Sequence, residues 1–371
     1  MNKIIYLDAA ASALKSRAVI DTEMDFLREH YANAGRGVCA RATAVDGMVN
    51  HTRHRVADFI GANATQIVFT SGTTDGMNRI VQMIRSMYPQ SHFVVAVSDL
   101  DHHSARMPWQ NLANRGECDL VLCPLNAAFD IDVDQIPVAD VMVITAMSNV
   151  LGVPQDVASI IRHARRKNPH VITIIDAAQY VAHAKIDVHE WGCDFLCFSG
   201  HKIGADTGLG VMYIRDPDAT AADKFGGGMV NKILDNGEFI LNPSPEKFEA
   251  GTMPLTQISG LGVAIDEWTA WDGASELISY MYDALVKIPR INLLTGRGAA
   301  LISFTVDGMH ILDFGMRVGA RGICMRVGNM CATWIHRALG IAGSARLSVG
   351  PWNTRADADR AIEIIRDVVG Q

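Results

Sequence analysis

The sequence predicts an α/β fold, with a mostly parallel sheet in a large unit and a smaller α+β unit after it. Three observations carry this expectation. Short apolar, β-branched runs alternate with helix-like stretches. The residues directly after those runs are small or polar, as at strand ends that open on a shared crevice. The 371 residues, 49% apolar and 20% charged, suffice for roughly two or three units with ample cores.

Taken in order, the strand-like runs are 67–69, 93–97, 141–145, 171–175, 195–198 and 210–214. Helical periodicity appears at 77–88 and 157–166, and strand, helix and strand in succession argue for crossover connections and a parallel sheet. In the tail, strands are expected near 300–306 and 346–349, with a closing helix near 356–369. The expected division is a large unit over 16–255 and a small one over 256–371, with segment 1–15 packing on the small unit. No repeat, low-complexity tract or linker interrupts the chain.

Net charge is −7 and the isoelectric point near 6.0, so an anionic partner meets net repulsion; nucleic acid and anionic membrane are not expected partners. The opening Met-Asn-Lys-Ile-Ile-Tyr-Leu-Asp lacks an apolar signal core, and no later run approaches about eighteen apolar residues, so a cytoplasmic location is expected. Seven cysteines, an odd number scattered over a long chain, do not form a disulfide framework. Zinc-ligand spacing is absent, and the adjacent His102 and His103 point to opposite faces if extended, so no metal is expected.

Chemistry gathers at the strand ends. Thr70-Ser-Gly-Thr-Thr-Asp-Gly76 leads into a helix, where backbone N–H groups bind a phosphate or where the glycines simply shape a cap. Asp101-His102-His103 follows one strand, Ser148-Asn149 another, Asp176-Ala-Ala-Gln179 a third, and Ser199-Gly-His-Lys202 a fourth. Lysine forms a Schiff base with an aldehyde cofactor, and an aspartate paired with a pyridine nitrogen keeps that ring an electron sink. Lys202 and Asp176 therefore point to pyridoxal phosphate, although a solvated loop lysine and a capping aspartate produce the same residues singly. His102 titrates near neutrality if unperturbed and suits proton transfer beside the ring, or is a structural histidine. Asn149 and Gln179 are donors for a phenolate or carboxylate, or amides that satisfy loop backbone. Cys331 is either a nucleophile or a small core residue.

The motifs just quoted occur in order with Tyr6-Leu-Asp-Ala-Ala-Ala-Ser12, Ser148-Asn-Val-Leu-Gly152, Phe248-Glu-Ala-Gly-Thr252 and Arg326-Val-Gly-Asn-Met-Cys-Ala332. Together they resemble the cysteine desulfurases of the class V aminotransferase fold, the SufS-type and selenocysteine lyase subgroup. That resemblance implies a PLP-dependent transferase of fold type I, with a mostly parallel seven-stranded-type sheet and a smaller α+β carboxy-terminal domain. It implies Lys202 as the cofactor-bearing lysine, Asp176 as the pyridinium partner, Gln179 as a phenolate contact and His102 as the ring-stacking acid and base. Thr73, Thr74, Ser199 and His201 are implied at the phosphate, joined by Thr252 from a neighbouring subunit, hence a homodimer. Asn149 and Arg346, with Arg326 and Arg36, are implied at the substrate carboxylate, and Cys331 as the thiol that takes sulfur from L-cysteine, leaves L-alanine and passes sulfur to an acceptor protein.

Three places depart from the family pattern. Gly35 stands where a histidine usually precedes Arg-Gly, the loop after the lysine reads Ile203-Gly-Ala-Asp-Thr207, and Asn329-Met330 replaces a His-His pair. The expected reaction is desulfuration of L-cysteine, with selenocysteine lyase, another C–S lyase or an aminotransferase as alternatives on the same cofactor. A non-catalytic scaffold on the same fold is the alternative from another class. Product analysis separates them.

Overall fold

The computed structural model describes residues 4–35, 37–88 and 92–370. Its strands are β1 (Ile5–Tyr6), β2 (Ile67–Thr70), β3 (Phe93–Val97), β4 (Cys118–Leu122), β5 (Val141–Thr145), β6 (Ile172–Asp176), β7 (Phe195–Ser199) and β8 (Gly210–Ile214). Then follow β9 (Val230–Ile233), β10 (Phe239–Leu241), β11 (Ile291–Leu293), β12 (Ile302–Val306), β13 (Ile323–Cys324), β14 (Arg326–Gly328) and β15 (Ser344–Leu347). A seven-stranded sheet has the order β2-β8-β7-β6-β5-β3-β4. Only β8 runs against its neighbours. The reason is local: the connection from β7 to β8 is a short turn through the 3₁₀ segment Gly200–Ile203, too short for the crossover that a parallel pair needs.

Both faces of this sheet are covered, which is why its strands read as apolar runs without polar alternation. In β5, Met142 and Ile144 enter one core while Val141 and Val143 enter the other. The helices Thr73–Met87 and His103–Asn114 supply Met77, Ile80, Trp109 and Leu112 to one face. Ala40–Ile60, Val157–Lys167 and Leu255–Ala270 cover the opposite face. Buried ion pairs fix the edges: Arg53 grips Glu249 at 2.7 and 2.8 Å, and Arg79 grips Asp223 at 2.7 and 2.9 Å while donating to the Phe248 carbonyl. Glu249 also accepts the Phe69 N–H, so the segment before Thr252 is anchored to β2.

A second sheet, β11-β12-β15-β14, is antiparallel and is backed by the helices Ser275–Leu285, Ile311–Gly319 and Arg355–Val369. Ile5 and Leu7 insert into that same core, and β1 pairs in parallel with β13. The helix Leu255–Ala270, assigned at the sequence level almost wholly to the tail unit, instead buries Ile258, Leu261, Ala264 and Ile265 in the large-sheet core. Its apolar residues surround most of the helix, so periodicity alone does not say which core receives them.

Element ends show where patterning runs out. The helix expected at 77–88 begins at Thr73, because its first turn is small and polar and shows no apolar period. The edge strand β4 is absent from the expected set; Cys118 alone of its residues is fully buried. The remaining expected strands and the helices at 157–166 and 356–369 lie within two residues of the observed elements. No helix among the described residues is long and apolar enough to cross a membrane.

Candidate functional site

Parallel strands that end side by side deliver their following residues to one place. Here β5, β6 and β7 open on a cavity of about 310 Å³, closed from the other side by the tail strands β14 and β15 and by residues Ala10 and Ala11 of the amino-terminal segment.

At one end sits the start of the helix Thr73–Met87. Its N-cap is Gly72, at φ +143, which offers no side chain to the first turn. Ser199 Oγ accepts the Thr73 N–H at 2.8 Å and lies 2.9 Å from Thr73 Oγ1. Thr74 and His201 complete this end of the lining, and His201 Nδ1 is buried without a partner. A helix N-terminus ringed by hydroxyls is suited to an anion. The close approach of strand and helix needs glycine at 210, where a Cβ would lie 2.5 Å from Gly72 Cα.

The floor holds Asp176 and Lys202. Asp176 is 3% exposed and accepts the Ala178 N–H at 3.0 Å. Burial pushes its carboxyl up to about 6, against that hydrogen bond and the nearby Lys202. Burial, followed by the Arg346 charge, brings the Lys202 amine down to about 8. The amine donates to the Ala10 and Ala11 carbonyls at 2.7 and 3.1 Å. Gln179 spends its Nε2 on the Ala10 carbonyl at 2.7 Å and leaves Oε1 buried and unpartnered.

His102 caps the helix His103–Asn114: its Nδ1 accepts the Ser104 N–H at 3.2 Å and lies 2.7 Å from Ser104 Oγ. This leaves the ring proton to Nε2. Burial, aided by Lys202, His103 and Arg346, pulls its pKa down to about 4. The expectation of an imidazole titrating near neutrality is therefore corrected: this ring is neutral at physiological pH.

Opposite the floor, Arg346 is almost wholly buried. Its Nη1 donates to the Asn149 carbonyl at 2.9 Å, its Nη2 reaches Asp8 at 3.3 Å, and its Nε is buried with no partner. Burial lowers its pKa to about 10, with Asp8 opposing the shift. Arg326 is half exposed and donates to the other oxygen of Asp8 at 2.7 Å. Asp8, given no role from sequence, thus joins both arginines; its motif was visible, but charge pairing across more than three hundred residues carries no local signal.

Cys331 is exposed and lines the cavity. It and Met330 hold left-handed backbone, φ +54 and +50, uncommon outside glycine and strained for a side chain as large as methionine. The loop is held from both sides: Asn149 Nδ2 donates to the Met330 carbonyl at 2.8 Å and the His103 N–H to the Cys331 carbonyl at 2.8 Å. One donor of the Asn149 amide is thus engaged with this loop, and its Oδ1 is buried without a partner.

Twelve expected residues thus meet in one cavity: Thr73, Thr74, Ser199 and His201 at the anion end, His102, Asp176, Gln179 and Lys202 on the floor, and Asn149, Arg326, Cys331 and Arg346 opposite. Thr252 is exposed and lies outside the cavity of its own chain. Arg36 falls outside the described residues. Among the described residues no group of three or more His, Cys, Asp or Glu side chains is placed to hold a metal.

Comparison with known proteins follows the same lines. A cysteine desulfurase of Pectobacterium atrosepticum is 32% identical, with 97% of this chain and 91% of that protein covered. A probable cysteine desulfurase of Pseudomonas putida is also 32% identical, with coverage of 97% and 92%. The crystal structure of the cysteine desulfurase CsdA of Escherichia coli, in its S-sulfonic acid form, superposes with a TM-score of 0.90 at 30% identity, covering 99% of this chain and 95% of that one. The apo cysteine desulfurase of Thermococcus onnurineus gives 0.93 at 27% identity, again with 99% and 95% covered. The model of the aminotransferase class-V family matches residues 5–361, and the chain belongs to that family.

Proposed function

We propose that this chain is a PLP-dependent cysteine desulfurase that converts L-cysteine to L-alanine, with sulfur passing first to Cys331 as a persulfide and then to an acceptor. The observation that carries the reading is that a buried amine, a buried carboxylate, a buried arginine and an exposed thiol share one cavity. Relatives named cysteine desulfurases across nearly the whole chain support it.

Members of the class-V family use pyridoxal phosphate, and the residues here fit it. Lys202 would hold its aldehyde carbon, Asp176 its ring nitrogen, and Thr73, Thr74, Ser199 and His201 its phosphate; the unpartnered His201 Nδ1 is a group that such a ligand would satisfy. When bound, the group withdraws electrons from the substrate α-carbon.

The protein's own residues supply the rest. A lysine brought down to about 8 is partly neutral at working pH, so Lys202 Nζ can take the α-proton. Arg346, with an unpartnered Nε, orients the substrate carboxylate. The neutral His102 ring covers the cavity and donates from Nε2. Cys331 Sγ attacks the substrate sulfur, forming an S–S bond as the C–S bond breaks; its electron pair returns to carbon, which is then protonated to alanine. The strained, exposed loop keeps this thiol open to an acceptor.

A homodimer belongs to the same reading. Thr252 is exposed and outside its own cavity, and Phe225, Ile233, Phe239 and Ile240 on and beside the β9–β10 hairpin are exposed. So does the division into a large unit and a small one, supported by separate cores around the seven-stranded and four-stranded sheets. Cysteines that are all free fit a reducing, cytoplasmic setting. The test is direct. Incubation with L-cysteine is expected to release alanine and to add one sulfur to the peptide bearing Cys331; pyruvate and ammonia with no added mass would overturn the reading.

A further inference from the structure

The neighbours His102 and His103 serve different parts of the site. His102 lines the cavity, whereas His103, the first residue of the helix His103–Asn114, meets the segment that carries the thiol. Its main-chain N–H donates to the Cys331 carbonyl at 2.8 Å. Its side chain reaches two residues further: Nε2 accepts the Thr333 N–H at 3.4 Å and lies 3.0 Å from Thr333 Oγ1. One residue therefore grips the chain directly after Cys331 at two points. Before Cys331 the loop holds itself, with Asn329 Oδ1 accepting the Cys331 N–H at 3.2 Å. Trp334 extends the contact, meeting His103 edge to face at 5.2 Å between centroids, while the Arg106 guanidinium lies 4.2 Å over the same indole. Arg106 is itself fixed by Asp99 at 3.1 Å and the Ser98 carbonyl at 3.2 Å, just after β3. Left-handed backbone at Met330 and Cys331 persists only where its surroundings over-determine it, and these are the surroundings. Burial lowers the His103 pKa from the ordinary imidazole value, which leaves Nε2 free to accept at neutral pH.

We propose that His103 is a positioning residue: its side chain latches the start of the short helix Thr333–Ala338 to the large unit, and the latch holds the Cys331 thiol at the cavity. The inference rests on the reading that Cys331 takes the sulfur. His103 touches no reacting atom, and Lys202, Asp176 and Arg346 stand on other elements. Loosening the latch therefore leaves cofactor and substrate binding in place and acts on the step that needs the thiol, where a small misplacement is costly.

The experiment uses the full-length, cofactor-loaded enzyme in four variants. His103→Leu removes the acceptor and keeps bulk, His103→Gln offers Oε1 in place of Nε2, Thr333→Val removes the hydroxyl from the other side, and the fourth combines His103→Leu with Thr333→Val. One readout is single-turnover persulfide formation on Cys331 by mass, measured with the KM for L-cysteine and the cofactor's visible band. The other is amide hydrogen exchange in the peptide 329–338, which needs no desulfurase activity. In His103→Leu, persulfide formation is expected to fall about tenfold with KM and band unchanged, and exchange to rise about fivefold. His103→Gln is expected to restore most of both, Thr333→Val to move both in the same direction by less, and the double variant to go no further than His103→Leu. Unchanged exchange and persulfide formation in His103→Leu overturn the proposal. So do equal effects of Leu and Gln, additive effects in the double variant, or a loss shared with KM and the visible band. A wild-type enzyme that forms no alanine and adds no sulfur to Cys331 would instead sink the desulfurase reading, and the exchange comparison would still decide the latch.

Discussion

The floor of the cavity and the loop that faces it are built on opposite principles. Asp176, Ser199 and Lys202 follow directly from β6 and β7, central strands buried on both faces, and their backbone is regular or tightly turned. Cys331 lies on an exposed loop in left-handed backbone, held by two hydrogen bonds from the large unit. A rigid floor holds charges at shifted pKa values, because regular strands cannot relax to hydrate them. An exposed, strained loop presents a group that must hand something away. Binding and delivery are thus assigned to different kinds of structure.

The largest test of this contrast is Lys202→Ala, expected to lower alanine formation by about 10³-fold or more and to abolish the cofactor's visible band. Next is Cys331→Ala, expected to leave that band and L-cysteine binding intact while removing the persulfide mass and lowering sulfur transfer by about 10²-fold or more. If both substitutions changed the spectrum alike, floor and loop would not be separable.

Asp176→Asn sharpens the comparison through stability. A carboxyl raised to about 6 in the native chain binds protons that the unfolded chain, near its ordinary value of 3.8, has released. Stability of the cofactor-free chain from this group is therefore greatest below pH 3.8 and falls as pH rises through 6. Removing the charge is expected to stabilise the cofactor-free protein at pH 7 by about 3 kcal/mol, read by urea denaturation against pH, while cofactor affinity drops at least about tenfold. Asp101, buried and raised to about 6 as well, remains in both proteins, so their difference isolates Asp176. The smallest effect is expected from Met330→Gly, which relieves φ +50 and changes stability by about 1 kcal/mol or less, but lowers sulfur transfer because the thiol loses its fixed position.

Much of the floor was legible in the sequence, since a strand run followed by a polar residue places that residue at the crevice. Asp176, Ser199 and Lys202 were found this way. Roles that depend on distant partners were not: the sequence showed the Tyr6-Leu-Asp motif but not that Asp8 joins Arg326 to Arg346, nor that Asn149 donates to the Met330 carbonyl. His102 was found, but its pKa near 4 comes from burial, which one sequence does not display. Which core receives the helix Leu255–Ala270 was hidden for a related reason, because an all-round apolar helix names no preferred neighbour.

The bond between Ala10 N–H and Ser348 Oγ, 338 positions apart, and the hold of Ala10 on Lys202, tie an early-made segment to one made much later. A ribosome translating this message extrudes the seven-stranded sheet well before Arg346 and Ser348 emerge. The nascent chain therefore carries its lysine and carboxylate without the arginine corner, and competence for the amino acid waits until Arg346 has followed.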